Sequence, residues 1–241
     1  MANINNKFNW YYYKPSDGPE NIAICQYMRL DYLIQLLETK NYYVSRRREY
    51  IDANESYQNI KLSVSIAPAH KENYPQQDII ERIIPYFDII HCPTSCWTKN
   101  TEESYLMWKS YATEIGARIQ STVYNFVASL ELNLDEGGDN KVVCGSMNYN
   151  KNLLSSNELM QLFGKDIVYS DENEFRFYFH LSDDIDKKST QFRLIPVNTT
   201  VMIDEIILSP FICKEAADKL ALMIKCCYGI ENVKQSNIKL K

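Results

Sequence analysis

The stretch from position 96 to position 122 constrains the fold more than any other. It runs Cys96-Trp97, then Glu103-Ser104, then Met107-Trp108-Lys109-Ser110-Tyr111-Ala112, then Gly116-Ala117-Arg118-Ile119-Gln120-Ser121-Thr122, and it holds two of the three tryptophans. Spacing of i, i+4 places Ser104, Trp108 and Ala112 on one helical face and Glu103, Met107 and Tyr111 on the adjacent face. The two rows together predict a helix over 103–112 with a broad buried side. Gly116 closes that segment, and a strand is expected over 117–121. Thr122 suits the N-cap of a further helix through 123–130. Aromatic rings and charged groups this dense indicate a packed core beside a pocket, or the pocket itself.

The rest of the chain alternates in the same style. Residues 8–14 read as a strand, and 30–39 as a helix with an apolar stripe of Leu33, Ile34, Leu36 and Leu37 that Asn41 ends. Strands follow at 42–45, 60–66 and 89–92, with a helix at 77–84 stopped by Pro85. Residues 135–140 form a turn, 142–149 a strand, and 157–163 a short helix with Gly164 past its end. From Glu174 to His180 the alternation is clean: Phe175, Phe177 and Phe179 on one face, and Glu174, Arg176, Tyr178 and His180 on the other. A phenylalanine face on the core and a charged face outside is the pattern of half-buried antiparallel sheet. Strands are expected at 192–197 and 202–210, a helix at 214–228 ended by Gly229, and an edge strand at 236–240. No repeat or linker interrupts 1–241, so the expectation is one α+β domain with a mixed, mostly antiparallel sheet and flanking helices.

Composition narrows the chemistry. The chain has 18 tyrosines and only 7 glycines, which predicts a core rich in aromatic-polar contacts. A net charge of -5 argues against general nucleic-acid binding, which needs a basic surface. The basic cluster Arg46-Arg47-Arg48 is offset at once by Glu49, Asp52 and Glu55, so local ion pairing is its plain reading and a phosphate patch the sharper one. Residues 1–9 are polar and predict no secretion signal, and no window approaches the ~18 apolar residues of a membrane helix. Seven cysteines without an export signal point to reduced thiols in a cytoplasm. Cys92-x-x-x-Cys96 beside His91 is too loose for a zinc site, and no metal is expected. Neither a glycine-rich phosphate loop nor a nucleophile elbow is present in the sequence. His180 reads as a partnered strand histidine.

Taken in order, Cys96-Trp97, Glu103-Ser104, Met107-Trp108-x-x-Tyr111 and Gly116-Ala117-Arg118-Ile119 resemble a bacterial family of unknown function with a Met-Trp-x-x-Tyr core. That family's late Glu-x-Glu-x-Arg strand is resembled by Glu172-Asn173-Glu174-Phe175-Arg176. Its Ile-x-x-Ser-Pro strand is resembled by Ile206-Ile207-Leu208-Ser209-Pro210, and its opening aromatic strand by Tyr12-Tyr13-Lys14. The chain departs from it at 49–55, where many relatives carry Phe-Asn-Asp-Pro. A second, weaker likeness is to ADP-ribosyltransferases, on Lys14, Ser121-Thr122 and Glu172-x-Glu174. It implies NAD as cofactor, with Glu174 and Glu172 catalytic and a glutamate steadying an oxocarbenium-like transition state.

Two readings result. In the first, the chain is an ADP-ribosyltransferase-like enzyme. Lys14, Glu103, Ser121 and Thr122 line the substrate site, Trp97, Trp108 and Tyr111 form an aromatic wall, and Arg118 or Arg176 holds a phosphate. In the second, the chain is a non-catalytic module that binds a nucleotide or a protein partner; the resemblance implies a setting in bacterial stress or phage defence. The plain reading of each residue stands beside these. Glu174 and Arg176 are i, i+2 neighbours that pair on one strand face, the tryptophans pack in the core, and Glu103-Ser104 begins a helix.

Overall fold

The structure, a computed structural model, describes residues 10–13, 22–46, 92–134, 139–149, 163–184 and 190–239. Its strands are β1 (Trp10–Tyr13), β2 (Ala23–Arg29), β3 (Asn41–Arg46), β4 (Pro93–Thr98), β5 (Gly116–Thr122), β6 (Lys141–Ser146), β7 (Asn148–Tyr149), β8 (Gly164–Lys165), β9 (Glu174–His180), β10 (Phe192–Pro196), β11 (Glu205–Leu208) and β12 (Val233–Gln235). Helical segments are Leu30–Thr39, Tyr105–Met107 continuing into a π turn at Trp108–Ala112, Val123–Ser129, a 3-10 turn at Ile167–Glu172, Thr199–Met202 and Lys214–Tyr228. This is the expected class: mixed α and β, with a mostly antiparallel sheet and flanking helices. No helix among the described residues is long and apolar enough to cross a membrane. The elements expected at 60–66 and 77–84, most of those at 89–92 and 157–163, most of the 135–140 turn, and Lys14 lie outside the described residues.

The chain divides into two compact units. The first comprises the described residues within Met1–Asp17, Val44–Cys96 and Asn133–Arg193. In it β1 runs parallel to β6, and β6 pairs antiparallel with β9 from Lys141↔His180 to Ser146↔Phe175. The strand expected over 142–149 breaks at Met147, whose N–H donates to the Glu174 carbonyl at 2.9 Å while the Asn148 N–H turns to Phe163. That break frees Asn148-Tyr149 to pair with Gly164-Lys165 as a small parallel ribbon. Gly164 is therefore a strand residue, where the sequence placed it beyond a helix end. Strand β9 departs from the half-buried pattern: Glu174, Arg176 and Tyr178 are buried along with the three phenylalanines. The ribbon covers the polar face, with the Phe163 ring edge-on to Tyr178 at 5.5 Å. Arg46, the one described member of the basic cluster, is likewise buried and paired at a distance in sequence: its guanidinium donates to both Asp184 oxygens at 2.7 and 2.9 Å.

The second unit comprises Gly18–Tyr43, Trp97–Leu132 and Leu194–Lys241. Strand β5 is central, antiparallel to β2 from Ala23↔Thr122 to Arg29↔Gly116 and antiparallel to β11, which in turn runs parallel to β12. The Leu30–Thr39 helix buries Leu33, Leu36 and Leu37 as its stripe predicts. Lys40 ends it, in the left-handed region at φ 52 with its N–H on the Leu36 carbonyl, so Asn41 begins β3 instead. Lys214–Tyr228 ends at Gly229 with φ 71, a conformation glycine adopts without a Cβ clash. Two strand boundaries shift. Asn198 caps a helical turn at Thr199–Met202, which shortens the strand expected from 202, and the last strand lies at Val233–Gln235, ahead of 236–240.

Candidate functional site

The nominated residues fall into two groups, one in each unit. Around Glu174, in the first unit, the strand places Glu174 and Arg176 on the same face two residues apart. Glu174 is 3 % exposed and Arg176 0 %. Arg176 Nε donates to Glu174 Oε1 at 2.6 Å and Nη2 to Oε2 at 2.9 Å, a bidentate pair. Lys165, brought over by the β7–β8 ribbon, donates from Nζ to Glu174 Oε2 at 2.9 Å and to Glu172 Oε2 at 2.6 Å. Two acids thus meet two cations, and these four charges balance. Burial by itself would raise the Glu174 carboxyl; Arg176, Lys165 and a hydrogen bond from Cys96 outweigh it and bring the group down to about 2. The carboxylate is ionised at neutral pH. Tyr149 completes the shell: its oxygen accepts the Glu174 N–H at 2.6 Å, and burial pushes its phenol up to about 12.

Glu172 is not on the strand. It ends the Ile167–Glu172 3-10 turn, and Asn173 passes through the left-handed region at φ 43 before β9 begins. The Glu-x-Glu pair is therefore split between a turn and a strand, and Lys165 is what joins its carboxylates.

Around Trp108, in the second unit, Ser104 accepts the Met107 N–H and starts the helix. In the first predicted row Trp108 and Ala112 are fully buried and Ser104 is half-buried. In the second row Glu103 and Met107 are half-buried, and it is Tyr111, 47 % exposed, that departs from the predicted buried side. From Trp108 the backbone is a π turn, and its i→i+5 pairing widens the helix and swings Tyr111 away from the buried row. Trp108 stands edge-on to Tyr27 at 4.9 Å, and its Nε1 donates to Glu103 Oε2 at 3.1 Å. Gly116 lets this helix approach the sheet. A Cβ there would lie 2.3 Å from the Ala112 carbonyl oxygen and 2.7 Å from that of Met28.

Arg118 is buried on β5. Its Nη2 donates to Cys25 Sγ at 2.8 Å and to the carbonyls of Thr101 and Asn100, while its Nε has no hydrogen-bond partner among the described residues. Burial pushes the Cys25 thiol up, and the Arg118 charge beside it acts the other way. Trp97 packs in a separate aromatic group with Phe126 at 5.0 Å and Tyr42 at 6.3 Å. Ser121 is buried, its hydroxyl on the Thr122 carbonyl, and Thr122 caps the next helix by accepting the Asn125 N–H at 3.0 Å.

The fold thus gathers Glu172, Glu174 and Arg176 into one network and sets Glu103 against Trp108. Sequence reasoning missed Lys165, Tyr149, Cys25 and Tyr27. Nothing at Lys165 itself marks it, because its role depends on the pairing of two two-residue strands. Cys25 and Tyr27 could have been found by register, since β2 lies antiparallel to β5 and sets Tyr27 opposite Arg118. Among the described residues no group of three or more His, Cys, Asp or Glu is placed to hold a metal ion. Comparison with protein-family models, with curated proteins and with solved structures gives no match.

Proposed function

We propose that the chain is a non-catalytic binding module in which the Glu174 cluster is a structural ion network. The observation that supports this most is the saturation of Glu174. Both carboxylate oxygens are engaged by Arg176 and Lys165, and the side chain is buried. A glutamate that steadies a developing oxocarbenium ion must turn an oxygen toward the reacting carbon. Here that would require breaking a bidentate pair and an ammonium contact. Two of the three residues named for an aromatic wall point the same way, since Trp97 and Trp108 are buried against the rings of Tyr42, Phe126 and Tyr27.

A melting panel with NAD, ATP, cyclic nucleotides and single-stranded RNA tests the proposal. A ligand at about 100 times its dissociation constant stabilises a fold by about 2.7 kcal/mol, a readily measured shift. The expected result is no shift with any of them. A shift with NAD, accompanied by nicotinamide release that Glu174→Gln abolishes in a folded protein, would overturn the binding-module reading in favour of an NAD-using enzyme.

A further inference from the structure

We infer that the groove between the Leu30–Thr39 helix and the turn at 113–115, in the second unit, docks a basic amphipathic peptide segment of a partner protein. The inference rests on the binding-module reading and names the partner's chemistry. The groove has a volume of about 920 Å³, with Leu30, Ile34 and Ile115 giving its apolar surface and Asp31, Glu38 and Glu114 its acids. That size admits several side chains, which separates it from a single-ion site.

Charge selects the occupant. Three carboxylates face one guanidinium, that of Arg29. Arg29 is already committed: it donates to both Asp31 oxygens, at 3.0 and 2.6 Å, and lies over the Tyr32 ring at 5.2 Å. Glu38 and Glu114 then set the sign of the rim. A phosphate or nucleotide would be repelled, whereas lysine or arginine beside an apolar side chain would be attracted.

The apolar part is held in place before any partner arrives. Ile115 is 62 % exposed, large and apolar, yet its backbone is fixed because its carbonyl accepts the Leu30 N–H at 3.0 Å. The preceding carbonyl, of Glu114, accepts the Ser209 hydroxyl at 3.0 Å. Thr113, a β-branched residue, is held at φ 58 and ψ -158, a positive-φ conformation otherwise adopted by glycine, and such strain persists only where neighbouring contacts impose it. A turn fixed on both sides presents Ile115 without an ordering cost on binding.

The test is fluorescence anisotropy with a labelled peptide of leucine and lysine at helical spacing, and with its leucine-glutamate counterpart. The lysine peptide should bind and the glutamate peptide should not. Glu38→Lys and Glu114→Lys should each weaken binding by about tenfold, as expected for reversal of a charge facing the ligand. Ile115→Ser should weaken it too, and at high ionic strength the loss from Ile115→Ser should remain while the charge effects shrink. Glu231→Lys makes the same charge change at an exposed position outside the groove and should leave affinity unchanged. Absence of binding, or an equal loss from Glu231→Lys, would overturn the groove. Peptide failure alongside a silent nucleotide panel removes the groove alone. NAD turnover removes the binding-module reading whatever the peptide does.

Discussion

Around Glu174, one acid and two cations are buried side by side with a second acid, Glu172, half-buried at their edge; around Trp108, one cation, Arg118, is buried among a thiol, two carbonyls and an aromatic ring. Both regions drew attention for the same reason, charged residues interleaved with aromatic ones. Their internal logic differs. The Glu174 cluster balances charge with charge, so removing one member strands its partner in a dry site. The Arg118 environment spreads a single positive charge over neutral dipoles and soft atoms, so among the described residues its removal strands no ion. The same sequence texture therefore stands for two kinds of dependence on neighbours.

The largest effect should come from unbalancing the first region. Glu174→Gln or Arg176→Met should each cost about 3–5 kcal/mol in urea unfolding, because each leaves an uncompensated buried charge. The double variant should cost less than the sum of the two, since it removes both ends of the bidentate pair and leaves Lys165 with Glu172. Strict additivity would show that the pair is not coupled. The pH dependence follows from the same contact. The folded Glu174 carboxyl, at about 2, lies below its ordinary 4.5. Its contribution is thus fully present above about pH 4.5 and is lost as pH falls toward 2. The stability gap between the parent and Glu174→Gln should narrow across that window; a constant gap would remove the carboxylate as its cause.

In the second region, Trp108→Ala should cost about 3–5 kcal/mol by cavity formation, while Trp108→Phe should retain most of the packing and lose about 1 kcal/mol with the Glu103 hydrogen bond. A smaller effect sharpens the comparison. Arg118→Met should cost about 1–3 kcal/mol, the range for leaving buried hydrogen-bond acceptors unsatisfied. A loss as large as that of Arg176→Met would break the contrast and point to an acid acting on Arg118. The smallest effect is local: Thr122→Ala should cost about 1 kcal/mol through loss of the helix cap, read as a modest fall in melting temperature in either background.

What could be read from the sequence alone was governed by short-range rules. The Leu30–Thr39 and Lys214–Tyr228 helices, the Thr122 cap, the Gly229 terminator and the alternating β9 strand all follow from spacing within one or two turns or a single strand. So does the buried row of Trp108 and Ala112. The pairing of Glu174 with Arg176 was also legible, because i, i+2 residues on a strand share a face.

Tertiary structure decided the rest, because those outcomes depend on residues far apart in the chain. Nothing local could show that Lys165 reaches Glu174, that Arg46 meets Asp184 across 138 positions, or that the polar face of β9 is covered by a two-strand ribbon. The π turn that exposes Tyr111 has the residue spacing of an ordinary helix in sequence, and only its backbone hydrogen bonds reveal it. Local propensity fixes which faces residues share. Whether a charged face looks into solvent, into a site or into a closed ion network is set by what the fold lays over it.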